Sequence, residues 1–220
     1  MNLKRVLLLA GHYGSGKTNI AVNMAMELKR KGNETLIADI DIVNPYFRTK
    51  DSQNELEAAG IPLICSAYAN SNVDIPALPQ ELYLITEKRD SFAVVDIGGD
   101  DRGALALGRL SDAIKDEDNY EMFLVVNVYR PLTRNLEDML EVVGEIEAAS
   151  KLPFTAIINN SNLGEETTAE QVLASVPLVE EIASALQLPV KMTTVKETLA
   201  DELSGKIENL FALTLQDKII

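Results

Sequence analysis

Apolar residues arrive along this chain in short, nearly unbroken blocks. They are "RVLLLA" (5–10), "TLIADI" (35–40), "PLICS" (62–66), "FAVVDI" (92–97), "FLVVNV" (123–128), "FTAIIN" (154–159) and "PVKMTT" (189–194). Blocks of this length, rich in Val and Ile and apolar at consecutive positions, predict strands covered on both faces. Between them the spacing turns helical. Ile20, Met24 and Leu28 share one face, and Leu132, Leu136, Leu140 and Val143 share another, with Glu137, Asp138 and Glu141 set away from it. Pro177 is expected to divide the helical region over 167–186 into two pieces. Strands alternating with helices predict an α/β fold, a three-layer α-β-α sandwich with a mostly parallel central sheet of about seven strands. No repeat or shift of composition interrupts 1–220, so one domain is expected.

Charge narrows the partners. A net charge of −14 and a pI near 4.5 argue against nucleic acid, which needs basic surface to displace counterions, and against anionic membranes. The single cysteine, Cys65, cannot form an internal disulfide, which suits a reducing, cytoplasmic setting. "MNLKRVLLLAG" imitates a secretory leader, but its apolar run is short and ends in glycines, so it is read as a strand. Near the other end, Ile207, Leu210, Phe211 and Leu215 have some amphipathic spacing; only two lysines accompany them, against Glu208 and Asp217, which disfavours a membrane-targeting helix.

The densest chemistry is "GHYGSGKT", Gly11 to Thr18, matching G-x-x-x-x-G-K-[ST] between a strand and a helix. Gly11, Gly14 and Gly16 let the backbone curl so that N–H groups, including those of His12 and Ser15, converge on phosphate oxygens. The helix that opens at Lys17 adds its positive end, which also brings Asn19 to the site. Lys17 would reach the β- and γ-phosphates, and the Thr18 hydroxyl would ligate Mg²⁺.

A phosphate loop needs acidic partners on neighbouring strands. "FAVVDIGGDD" supplies Asp96 at a strand's C-terminal end, followed by Gly98 and Gly99, either of which could set an N–H against a γ-phosphate. Asp100 and Asp101 read as a helix cap. "LIADIDIVNPYFRT" places Asp39 and Asp41 at the end of the second strand, one for the Mg²⁺ shell and one to orient a nucleophile. Arg48, after Asn44, Pro45, Tyr46 and Phe47, could neutralise phosphate charge or remain a solvated charge.

With a P-loop near residue 11, D-x-D ending the second strand and hhhhD-x-G-G further on, the chain resembles the SIMIBI class of P-loop ATPases. Its nearest relatives there look to be the Min/Par partition ATPases, the nitrogenase iron protein, metal-centre maturation ATPases, and the cobyrinic acid diamide synthase and dethiobiotin synthetase group. The resemblance covers roughly residues 1–195. It implies a P-loop NTPase fold, Mg²⁺ and ATP as cofactors, ATP hydrolysis and, in many members, a nucleotide-dependent homodimer. It places Asp39 at the family's second-strand acidic position and Asp41 where members act on the attacking water. It also puts Asn159 at the adenine, with Asn127 as a second base contact. The guanine reader N-K-x-D is missing, and "NNSN" (159–162) offers no carboxylate, so ATP is expected over GTP.

One position departs from the pattern. Switch-type members carry a lysine early in the loop that reaches the partner subunit's nucleotide; here it is His12. Imidazole is shorter and only partly charged near neutral pH, although polyphosphate nearby favours its charged form. Slow intrinsic turnover is therefore expected. Three functions remain open at this point: an ATP-driven switch read by a protein client such as a metalloenzyme or assembly partner, a synthetase that phosphorylates a small carboxylate or carbamate, and a nucleotide-binding subunit without useful turnover.

Overall fold

The computed structural model describes residues 3–40, 52–65, 79–98, 101–130 and 136–215. Within them the strands are β1 (Val6–Ala10), β2 (Thr35–Asp39), β3 (Leu63–Cys65), β4 (Phe92–Asp96), β5 (Tyr120–Val126), β6 (Ala156–Asn159), β7 (Val190–Lys196) and β8 (Leu210–Leu213). The helices are α1 (Lys17–Arg30), α2 (Gln53–Ala58), α3 (Leu84–Glu87), α4 (Asp101–Leu107), α5 (Ser111–Glu117), α6 (Leu136–Ser150), α7 (Ala169–Leu186) and α8 (Glu197–Leu203). The strands form one sheet in the order β3-β2-β4-β1-β5-β6-β7-β8, with every neighbouring pair parallel.

Each apolar strand feeds two cores because successive side chains point to opposite faces. Val6, Leu8 and Ala10 pack with Leu107 of α4, Ile114 of α5, Met139 and Ile146 of α6, and Val179 of α7. Leu7 and Leu9 pack on the other face with Ile20, Met24 and Leu28 of α1 and Leu56 of α2. The predicted stripe of α1 is thus the buried one, and α-β-α layering follows.

The seven predicted blocks are all strands, and the sheet adds an eighth; elsewhere, local expectations give way to packing. Leu210–Leu213 runs parallel to β7, with Leu210 paired to Thr193, where the sequence suggested only amphipathic spacing. The Asn23 amide of α1 fixes that edge, donating to the Thr214 carbonyl at 2.9 Å and accepting from its N–H at 2.9 Å. Pro177 lies inside a continuous α7 instead of dividing it. It has no N–H for the Leu173 carbonyl, but Val172, Val179 and Ile182 on its flanks are all buried, and a Thr168–Gln171 capping box secures the first turn. In α6 the buried face is Met139, Val143 and Ile146, while Leu136 and Leu140 are 40% and 48% exposed. The stripe is rotated from the one expected, and Leu132 lies outside the described residues.

At the end of the sheet opposite the glycine loop, Arg5 is buried and ties three segments together. Its guanidinium donates to the carbonyls of Ile85 (2.8 Å) and Ser91 (3.0 Å) and to Glu117 Oε2 (2.6 Å). No helix among the described residues is long and apolar enough to cross a membrane.

Candidate functional site

The loop between β1 and α1 sits at the C-terminal edge of the sheet, where β1 is flanked by β4 and β5. Its curl comes from glycines in left-handed conformations, among them Gly11 (φ 138°) and Gly16 (φ 92°). A side chain could not replace either one. A Cβ on Gly11 would come within 2.7 Å of the Val125 carbonyl oxygen, and one on Gly16 would collide with the Asn160 amide. Lys17 is buried and folds back across the loop, donating to the carbonyls of Gly11 (3.0 Å) and His12 (3.3 Å). His12 Nδ1 lies 3.1 Å from the Tyr13 carbonyl. Ser15 Oγ is buried without a hydrogen-bond partner among the described residues. Such an unmet hydroxyl costs about 1–3 kcal/mol, and it fits a loop shaped around a polar ligand.

The acidic partners follow from register. Asp39 and Asp96 are directly paired across β2 and β4, and Asp96 is also level with Leu9 of β1. Ile37, Val94 and Leu9 all belong to the core beneath α1. Two residues on from Ile37 and Val94, Asp39 and Asp96 therefore face the α1 side, at the sheet edge where Lys17 and Thr18 open that helix. Both are buried, at 7% and 1% exposure. Gly98 ends the same segment, close under α4: a Cβ on Gly103 would lie 2.8 Å from the Gly98 nitrogen and 3.0 Å from the Ile40 carbonyl. Asp41, the 44–48 segment, Gly99 and Asp100 lie outside the described residues.

This is a nucleotide cradle with paired carboxylates beside it, and residues 6–187 match the family model described as the CobQ/CobB/MinD/ParA nucleotide binding domain. The chain belongs to that family. It is a SIMIBI-class, nucleotide-binding P-loop domain. No curated protein matches the sequence. Among solved structures, it is similar in fold to the cell division protein FtsY of Thermotoga maritima (TM-score 0.58, 18% identity, 88% of this chain and 62% of that one). It is likewise similar to chloroplast FtsY of Physcomitrella patens (0.56, 20%, 88% and 59%). The 54 kDa signal recognition particle protein of Aeropyrum pernix, solved in complex with GDP, is a third (0.54, 16%, 87% and 41%). The chain spans 41% to 62% of the length of these proteins.

In this P-loop domain the two asparagines expected at the base are otherwise engaged. Asn159 is 1% exposed; its amide nitrogen donates to Ser175 Oγ at 2.9 Å and its oxygen accepts from the Ser161 N–H at 3.1 Å. Asn127 is also 1% exposed and bridges to the backbone of Asn162, donating to its carbonyl (3.1 Å) and accepting from its N–H (3.3 Å). Neither walls the cavity that opens beside the loop; these bonds tie them to the 161–162 segment and to Ser175.

The residue that reaches the loop is Asn160, which the sequence did not single out. Its Nδ2 donates to the Ser15 carbonyl at 2.6 Å, and its Oδ1 accepts from Thr194 Oγ1 at 2.5 Å. Because a peptide unit is planar, holding the Ser15 carbonyl also fixes the direction of the Gly16 N–H. Beside this brace opens a cavity of about 630 Å³, walled by Gly16, Asn19, Arg130, Val195 and Leu213, with Glu165 and Glu166 at its rim. Those carboxylates come just after the "NNSN" segment that lacks one, a proximity produced by the turn through Gly164. Glu165 is paired with Lys196.

Proposed function

We propose that this domain is a Mg·ATP-dependent switch whose slow hydrolysis is read by a protein client. The observation that carries the reading is the juxtaposition of the glycine loop with Asp39 and Asp96 on the α1 side of the sheet. Two carboxylates, the Thr18 hydroxyl and nucleotide phosphates are the oxygen set that Mg²⁺ prefers, since it seldom uses an all-protein cage. Mg²⁺ held there would neutralise charge on the nucleotide phosphates. Lys17 would leave the Gly11 and His12 carbonyls for the phosphates, and Asp41 would orient the attacking water. The cavity beside Gly16 and Asn19 would take the base. Close packing of Gly103 on Gly98 and Ile40 supports the switch reading, because a shift at either strand end must move α4.

A second reading takes guanine in place of adenine, and Glu165 and Glu166 at the cavity rim favour it: a carboxylate is the partner a guanine edge requires. Calorimetric titration with ATP and GTP in Mg²⁺, with Lys17→Ala as control, separates the two. Binding of ATP at least tenfold tighter than GTP, lost in the variant, supports the proposal; the reverse order transfers it to guanine. Absence of binding to either overturns both. In parallel, light scattering that shows doubled mass only with a slowly hydrolysed ATP analogue would support a nucleotide-dependent homodimer.

A further inference from the structure

Arg130 played no part in the sequence argument, yet it lies where loop and cavity meet. Its Nε is 3.8 Å from the position a Cβ on Gly14 would occupy, and its side chain walls the cavity together with Gly16 and Asn19. The turn that carries it is held from several sides. The Arg130 N–H donates to the Asn127 carbonyl (3.0 Å), the Tyr129 N–H to Asn127 Oδ1 (3.1 Å) and the Val128 N–H to Ser161 Oγ (3.1 Å). Tyr129 also donates its hydroxyl to the Gln171 carbonyl at 2.7 Å, anchoring the turn to α7. Asn127, bolted to Asn162, completes the mount. A side chain whose backbone is fixed in this way binds an anion at small entropic cost.

The charges around it indicate which ligand group it meets. The loop carries histidine at position 12, and Arg130 borders both that loop and the cavity. We infer that Arg130 is a phosphate-binding residue acting within its own subunit, its guanidinium donating to phosphate oxygens of a nucleotide seated in the loop. It thereby supplies a second cation beside Lys17. This rests on the nucleotide reading above.

The test is equilibrium binding of ATP, GTP and adenosine to the wild type, Arg130→Ala, Arg130→Lys and Lys17→Ala, at low and high salt, with unfolding midpoints of the nucleotide-free proteins. Arg130→Ala should weaken ATP and GTP alike by roughly 10–100-fold, as expected for a charge-assisted hydrogen bond. It should leave adenosine binding unchanged and flatten the salt dependence. Lysine should restore part of the loss, because it keeps the charge without the planar fork. Affinity for ATP and GTP within twofold of wild type overturns the assignment while the nucleotide reading stands. So does a loss confined to one base, or an equal loss for adenosine. If neither the wild type nor Lys17→Ala binds any nucleotide, the nucleotide reading fails and this assignment falls with it.

Discussion

Replacing Asn160 by alanine removes a side chain that links Thr194 of the seventh strand to the glycine loop. Two short hydrogen bonds disappear, to the Ser15 carbonyl at 2.6 Å and from Thr194 Oγ1 at 2.5 Å. Thr194 keeps a longer contact to the Asn159 carbonyl at 3.3 Å, so the larger cost falls on the Ser15 carbonyl, left without that donor. Desolvating such a group costs about 1–3 kcal/mol, and the lost net contribution of the second bond adds about 1 kcal/mol. The expected destabilisation of the nucleotide-free protein is thus about 2–4 kcal/mol, read as a lower urea midpoint with an unchanged m-value. Asn160→Asp, nearly isosteric, should cost at least as much, since it sets an oxygen against the Ser15 oxygen. Nucleotide affinity should fall at least tenfold in both, because the Gly16 N–H is no longer aimed. A change below about 0.5 kcal/mol with m unaltered would refute the bracing argument.

Two further outcomes are expected from packing. Arg5→Ala should destabilise by roughly 3–5 kcal/mol in the same assay, because it strands Glu117, itself 10% exposed, and removes the donor to the Ile85 and Ser91 carbonyls; a loss under 1 kcal/mol would contradict this. Met139→Ala in α6 should cost about 2–5 kcal/mol, whereas Leu140→Ser should stay within about 0.5 kcal/mol, and equal costs would restore the stripe expected from spacing.

The glycine loop and its acidic strand ends could be found in the sequence because each is encoded locally, by a run of adjacent residues whose meaning does not depend on what packs beside them. Asp39 and Asp96 become a pair only through the sheet order, but each already ended an apolar block. Asn160 and Arg130 carried no such signal. Their roles exist only because β6 and the 127–130 turn close around a loop more than a hundred residues away, and the family resemblance pointed to Asn159, one residue off, as a base contact. Leu136 and Leu140 misled for a related reason: their spacing fits a helix face, but which face is buried was decided by the neighbours of α6. Pro177 showed the reverse, a local breaker overruled by burial on both sides of it.

The place of β1 in the sheet bears on how the chain comes into being. Val6 must pair with Ala93 on one side and Tyr120 on the other, so β1 leaves the ribosome before either neighbour, an apolar ribbon with both edges open. At synthesis rates of about 5–20 residues per second it waits roughly 5–20 s for its neighbours. Through that interval "VLLLA" has what an adhesive segment needs, high β-propensity without charge. Lys4 and Arg5, immediately ahead of it, act as gatekeepers in the nascent chain before Arg5 becomes the buried anchor of the finished one.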